Sequence, residues 1–311
     1  MIWAGVVLYN PTLDRFIQNM EIVIDKVDGI IIYDNGSDLS VKKYIKSIIT
    51  KNVIFLGDGN NKGIAYALNE IMKTAKDKGA DWVITLDQDS IISEDFISHL
   101  RNRIEFNKHI KLAIICPAIV DKRRIFPANK VVIDNENDHE VDMCITSGSC
   151  TNIAAWEDVN GFDDYLFIDL VDNDFCKRLK ARKWVILKMG GVTLDQEFGN
   201  IKPKSERVVN FYRKICSLIP NKKLAILISK LAYTKQVSPV RVYYTNRNII
   251  YLNNKLKEIG GIGYESYSVN SYLGFLLFFD LPSIFRSKDK TRVIKAIYSG
   301  IIDGKKACVS D

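Results

Sequence analysis

Two carboxylates stand two residues apart in Asp87-Gln88-Asp89, directly after the apolar run Val83-Ile84-Thr85-Leu86. An acid pair spaced i, i+2 where a strand passes into a loop can share one hard divalent cation, Mg2+ or Mn2+. Such ions take one or two carboxylates and fill the rest of their shell with phosphate oxygens and water. The ion would neutralise charge building on a departing diphosphate, which is Lewis-acid and electrostatic catalysis together. Asp is also a favoured helix N-cap, so the same pair could simply start the helix that follows.

The address of the pair narrows this choice. Four apolar runs of strand length occupy the first ninety residues: Val6-Val7-Leu8-Tyr9, Ile30-Ile31-Ile32-Tyr33, Val53-Ile54-Phe55-Leu56 and Val83-Ile84-Thr85-Leu86. Each is apolar on both faces, as parallel strands covered by helices are. Between the last two, Ala65, Leu68, Ile71, Met72 and Ala75 fall on one helical stripe. Strands alternating with helices predict an α/β sheet, in which ligands sit at the carboxyl ends of the strands. Polar residues collect there as Tyr9-Asn10-Pro11, Asp34-Asn35-Gly36-Ser37, Gly57-Asp58-Gly59-Asn60-Asn61-Lys62-Gly63 and Asp87-Gln88-Asp89-Ser90. Gly57, Gly59 and Gly63 are spaced one residue too long for a dinucleotide-binding G-x-G-x-x-G and follow the third strand, not the first. No G-x-x-x-x-G-K-[ST] loop occurs either, which argues against a P-loop NTPase.

Further strands are expected at Leu112–Ile119, Val141–Thr146 and Val185–Met189, with a helix from Asp172 to Ala181. After about residue 200 the pattern reads as helices alone, over 203–260 with breaks near Pro220 and Ser238-Pro239, and again over 268–300 around Pro282. The expected organisation is a catalytic α/β domain over 1–200 and a basic helical region over 201–311. Charge divides at the same place. Residues 1–199 carry 24 Lys+Arg against 30 Asp+Glu, for −6; residues 200–311 carry 20 against 7, for +13; together they give the net +7. By charge alone the tail suits nucleic acid or the anionic face of a membrane. The fourteen-residue run Tyr272–Phe285, which contains Asp280 and Pro282 and is followed by Arg286, Lys288, Lys290 and Arg292, is too short to span a bilayer. It fits an interfacial helix, and equally a buried packing or oligomer helix. Six cysteines without a C-x-x-C pair read as reduced thiols, and nothing before Trp3 suggests a signal peptide. The expected location is the cytoplasm, with peripheral association at the inner face of the membrane and no nucleic-acid partner.

The polar strand ends, taken in order, resemble family 2 glycosyltransferases of GT-A fold, closest to their bacterial rhamnosyltransferase branch. The matching residues are Tyr9-Asn10-Pro11, Asp34-Asn35-Gly36-Ser37, Asn61-Lys62-Gly63-Ile64-Ala65-x-Ala67-x-Asn69 and Asp87-Gln88-Asp89-Ser90. They continue through Ser147-Gly148-Ser149, Gly161-Phe162-Asp163 and Leu166–Asp172 to Arg241-x-Tyr243-Tyr244-x-x-Arg247-Asn248. The resemblance implies that Tyr9, Asn10, Asp34, Asn61, Lys62, Gly63, Asp87 and Gln88 bind the nucleotide-sugar. It implies Asp89, with Asp87, as metal ligands, and Asp172 as catalytic base, with Asp169 beside it where Val171 replaces a usual acid. Ser147 and Gly148 would face the acceptor or a phosphate, as would Arg241, Tyr244 and Arg247, whose forks and rings suit a lipid-pyrophosphate. The resemblance also implies Gln196 as a third metal ligand, standing where a histidine often completes the shell; its amide oxygen is uncharged, so the metal would bind more weakly or recruit Asp195, Glu197 or water. His99, His109 and His139 lie in other contexts. The expected reaction is inverting transfer, of rhamnose from dTDP-rhamnose to a saccharide or lipid-linked acceptor, in bacterial surface-polysaccharide or capsule assembly. The alternatives are a UDP-hexose or UDP-galactofuranose donor, or a nucleotide-sugar-binding subunit without transfer activity; a homo-oligomer through the C-terminal helices also fits.

Overall fold

The first four apolar runs become strands β1 (Ile2–Leu8), β2 (Gly29–Asp34), β3 (Val53–Leu56) and β4 (Trp82–Asp87) in a computed structural model. It describes residues 1–47, 52–120, 137–196, 201–220, 225, 228–267 and 269–307. The four strands pair in parallel in the spatial order β3-β2-β1-β4. Parallel pairing requires crossovers, and α1 (Leu13–Val23), α2 (Leu39–Ser47) and α3 (Ile64–Asp77) supply them. The expected stripe of α3 is its buried face, with Ala65, Leu68, Ile71, Met72 and Ala75 all in the core.

The sheet continues with β5 (Ile91–Ile92), β6 (Leu112–Val120), β7 (His139–Glu140), β8 (Ser149–Asn152) and β9 (Val185–Asp195). Among the described residues it has nine strands in the order β3-β2-β1-β4-β8-β6-β9-β5, with β7 on β9. Strand β8 runs antiparallel to both β4 and β6, and β9 antiparallel to both β5 and β7. Helices α4 (Phe96–Phe106), α5 (Ile153–Asp158) and α6 (Val171–Ala181) complete this region. One expectation fails here: residues 141–146 form no strand. The Val141 N–H donates to Ile186 O of β9, the Thr146 carbonyl accepts from Thr85 Oγ1 of β4 at 2.5 Å, and the backbone then turns through Gly148 at φ +73°. The strand is instead the polar Ser149-Cys150-Thr151-Asn152, whose first three residues are buried between β4 and β6.

The chain divides into two compact units, Met1–Ala118 with Asn137–Asp195, and Ile119–Glu136 with Gln196–Asp311. The second unit holds α7 (Glu206–Ser217), α8 (Pro239–Lys255), α9 and α10 (Lys290–Ala307). Helix α9 runs through an α turn Tyr272–Phe275, a π segment Leu276–Asp280 and a second α segment Leu281–Arg286. Contrary to expectation, strands do not stop at residue 200; β10 (Ile201–Pro203) pairs antiparallel with β11 (Tyr233–Lys235). Three residues per strand are too few to show a period. Helix α10 lies close on α8 because Gly300 and Gly304 face its backbone: a Cβ would stand 2.5 Å from Tyr243 O and 2.6 Å from Arg247 O.

Candidate functional site

The strand order reverses between β1 and β4: from β1 the chain builds outward through β2 and β3, then returns to the other side of β1. Ligands of open α/β sheets bind outside the carboxyl ends at such a switch point. Tyr9 and Asn10 leave β1 here, and Asp87, Gln88 and Asp89 leave β4. The two ends are laced together, since the Tyr9 N–H donates to Gln88 Oε1 at 2.8 Å. Asn10, left-handed at φ +48°, ties in the end of β2. Its N–H donates to Ser37 Oγ at 3.0 Å, and its Oδ1 accepts the Asp38 N–H at 2.8 Å.

The backbone of the Asp87–Asp89 turn is gripped from three sides. Ser147 Oγ accepts the Asp87 N–H at 3.1 Å and lies 2.6 Å from Ser90 Oγ, while the Ser90 N–H closes the turn onto Asp87 O. From α1, Arg15 donates through Nε and Nη2 to the Asp89 carbonyl at 2.8 and 2.6 Å. The same Nη2 lies 3.8 Å from Asp195 Oδ2, and Asp195 is paired in register with Ile91, two residues past the turn. Both Asp87 and Asp89 are half-buried. They cap no helix: β5 follows, and α4 starts at its own N-cap, Asp95. Ser147 is 2% exposed, and its hydroxyl is engaged behind the turn. Gly148 adds a close contact, its N–H donating to Thr85 O at 2.7 Å.

The donors around this turn are carboxylate oxygens, the hard ligands that suit Mg2+ or Mn2+. No ready-made cage of three or more His, Cys, Asp or Glu ligands occurs among the described residues. An ion at Asp87 and Asp89 would therefore complete its shell from substrate oxygens and water, the magnesium-type pattern. Gln196 follows Asp195 in the chain, is buried, and donates its N–H to Val120 O at 2.9 Å. Glu197, expected as an alternative ligand, lies outside the described residues.

Along the rim, Asp34 is 1% exposed, with Oδ1 accepting the Ser37 N–H at 3.1 Å and Oδ2 3.2 Å from Lys42 Nζ. Asn35 Oδ1 accepts the Lys62 N–H at 2.8 Å, and Asn61 Oδ1 accepts the Gly63 N–H at 3.1 Å. Lys62 Nζ lies 2.7 Å from Asp58 Oδ2 and 4.9 Å from the Tyr66 ring centroid. That hydrogen bond raises the Lys62 pKa and lowers that of Asp58. Gly63 begins α3 at φ +89°, and a Cβ there would stand 2.6 Å from Phe167 O. Only glycine allows this approach, through which the Ile64 N–H donates to Phe167 O at 2.7 Å.

The carbonyl of Phe167 belongs to the segment that delivers Asp172, and Asn69 fixes the same segment further back. Its Nδ2 donates to Phe162 O at 2.8 Å and Asp164 Oδ1 at 2.7 Å; its Oδ1 accepts from Trp156 Nε1 at 3.0 Å and Phe162 N–H at 2.9 Å. With both donors and both lone pairs engaged, Asn69 is a positioning residue. Asp169 and Leu170 then adopt φ +66° and +65°, a conformation costing about 1–3 kcal/mol each in non-glycine residues. Strain of this kind collects at functional sites. Asp172 is half-buried in the first turn of α6, and its Oδ1 accepts the Asn173 N–H at 3.0 Å. It is not the N-cap, which is Leu170. Asp174 is turned into the core, 2.9 Å from Arg178 Nε. Cys144 Sγ and Cys176 Sγ lie 3.9 Å apart there, and their hydrogen bonding among thiols and their burial raise both pKa values, which keeps them unreactive.

The remaining expected site residues stand in the second unit, on α8. Arg241 is exposed. Arg247 is 8% exposed, its guanidinium 4.7 Å from the Tyr244 ring centroid and its Nε donating to Asn248 Oδ1 at 2.9 Å. Sequence reading missed Arg15, an isolated cation on an amphipathic helix that carries no local signal. It also missed the keystone part of Asn69, which sits three residues before Met72 within an apolar stripe.

Residues 8–145 match the model of a family described as Glycosyl transferase family 2. The dTDP-rhamnosyl transferase RfbF of Shigella flexneri is 29% identical over 193 residues, which cover 57% of this chain and 62% of RfbF. The chain therefore spans less than two thirds of that relative's length. A crystal structure of GalNAc-T7 with UDP, GalNAc and Mn2+ is similar at a TM-score of 0.53 and 12% identity, over 90% of this chain and 56% of that one. At that identity the likeness is one of fold.

Proposed function

We propose, from the premise that this chain carries a family 2 glycosyltransferase domain of GT-A fold, that it performs inverting transfer of a sugar from a nucleoside diphosphate to an acceptor hydroxyl. The observation that carries the reading is the Asp87–Asp89 turn, gripped through its backbone at the switch point of the sheet. Asp87 and Asp89 would hold Mg2+ or Mn2+ beside the donor diphosphate. A bound ion supplies charge neutralisation on the leaving phosphates. Tyr9, Asn10, Asp34, Asn61, Lys62 and Gly63 line the nucleotide side, with Lys62 and Lys42 the cations at that rim. Asp172 accepts the acceptor hydroxyl's proton as its oxygen attacks the anomeric carbon and the bond to the diphosphate oxygen breaks. Asp169 contacts the acceptor, and Asn69 and the left-handed pair before α6 hold that carboxylate in place. Arg241 of the basic helical region is the exposed cation for a phosphate-bearing acceptor.

The name of the RfbF relative supports dTDP-rhamnose as donor, and a saccharide or lipid-linked acceptor follows from the same reading. A panel of dTDP-rhamnose, UDP-glucose, UDP-galactose and UDP-galactofuranose, assayed for hydrolysis and transfer with and without Mn2+, tests it. Manganese-dependent turnover of dTDP-rhamnose is expected. Turnover of a UDP-sugar alone would replace the donor. Nucleotide binding without turnover of any donor would favour a binding subunit.

A further inference from the structure

Helix α9 is apolar on the outside. Leu273, Leu277, Leu281 and Phe285, spaced four apart, are 65%, 49%, 43% and 69% exposed, and Phe278 beside them is 72% exposed. The opposite face is occupied: Phe275 and Phe279 stack at 4.9 Å and meet Tyr267 at 4.9 and 5.0 Å. The one acid of the helix, Asp280, would interrupt an amphipathic surface if it faced outward. The π segment prevents this. Its Leu281 N–H bonds to Leu276 O, five residues back, and this wider turn brings residue i+5 over residue i. Asp280 thus falls on the side of Phe275, buried, with Oδ1 accepting from Asn246 Nδ2 of α8 at 2.9 Å.

Immediately after the apolar stripe, residues 286–295 hold Arg286, Lys288, Lys290, Arg292 and Lys295 against the single acid Asp289. All six are exposed, as are Ile294 and Tyr298 of α10. We propose that α9 and the start of α10 form a peripheral docking surface for an anionic lipid bilayer, α9 lying in the interface with Leu273, Leu277, Phe278, Leu281 and Phe285 among the acyl chains. Apolar residues on one face with lysine and arginine beside them are the pattern of an interfacial helix. A second copy of the chain fits less well, because its own apolar stripe offers no exposed acid to the basic cluster, Asp280 being buried, whereas an anionic bilayer offers negative charge. By composition the 22-residue segment Glu265–Arg286 is long and apolar enough to cross a membrane. The fifteen helical residues Tyr272–Arg286 rise only about 22 Å, short of the roughly 30 Å hydrocarbon core, so the helix lies along the surface.

This proposal is independent of the transfer reading, because it is measured without any donor sugar. The purified full chain is centrifuged with phosphatidylglycerol vesicles and with phosphatidylcholine vesicles at low and high salt, beside a Phe278→Ser/Phe285→Ser variant and a Lys288→Glu/Lys290→Glu/Arg292→Glu variant. Circular dichroism and melting confirm that the variants fold. Binding to phosphatidylglycerol at least tenfold stronger than to phosphatidylcholine, weakened at high salt and lost in both variants, is the expected result. Salt-sensitive binding that the Phe278/Phe285 variant retains would overturn the apolar docking. So would the absence of vesicle binding, and a self-associated wild type that the Phe278/Phe285 variant makes monomeric would then assign the face to a second copy.

Discussion

At the end of β4 the backbone of Asp87 and Asp89 is held by Ser147 and Arg15 while both residues stay half-buried at a strand-end rim. In α9 the arrangement is reversed: the Asp280 side chain is buried and bonded by Asn246, and it is the helix's apolar side chains that face solvent. The first environment suits carboxylates as charged ligands. The second disfavours the charge, and burial lifts the Asp280 pKa to about 6. Asp280 Oδ2 and Asn246 Oδ1 are both buried without a donor, and a proton on Asp280 would serve both. One residue type thus does opposite work in the two units, and the sequence around it decides which.

The largest effect should come from the acid that must be ionised. Replacing Asp172 with Asn is expected to lower kcat about 10³-fold, within the usual range for a general base, and to leave nucleotide affinity within about twofold. Single-turnover transfer beside calorimetry measures both, and a variant of near wild-type rate removes Asp172 from its role. Next comes Asp280. Its raised folded-state pKa stabilises the protein below about pH 4, and that contribution is lost as pH rises through about 6. At 1.36 kcal/mol per pKa unit the loss is up to roughly 3 kcal/mol. Asp280→Asn should therefore melt increasingly above wild type as pH goes from about 4 to about 6, with a constant margin above about 7; a difference that stays constant across the whole range would mean that the folded state does not raise the carboxyl's pKa. A smaller effect is expected for Asn69→Ala, which leaves the buried Trp156 and Phe162 groups without their bonds and costs about 2–3 kcal/mol. Its kcat should fall more than its nucleotide affinity, since the loop it pins leads to Asp172. Equal losses in both would make Asn69 merely structural.

The regular parts of this contrast were readable from sequence. β-branched runs give β1 to β4, a stripe at helical spacing gives α3, and the polar residues at four strand ends follow from where parallel strands finish. What escaped depended on contacts distant in sequence. The expected strand at 141–146 does not form, while Ser149–Asn152 is a strand because β4 and β6 enclose it. Arg15 meets Asp89 across 74 residues, with no local pattern to announce it. Asp280 reads as a break in an apolar run, and only the π turn shows that it faces inward. Left-handed Asp169 and Leu170 violate local preference directly before α6, and such violations are expected at functional or strained sites.

The central claim is that the Asp87–Asp89 turn binds a divalent cation together with a diphosphate. Titrating dTDP into the wild type and Asp89→Asn by calorimetry, each with and without Mn2+, tests it most directly. Manganese should strengthen wild-type binding at least about tenfold, and the variant should keep its metal-free affinity but lose that increment. An equal manganese increment in both proteins would contradict the claim.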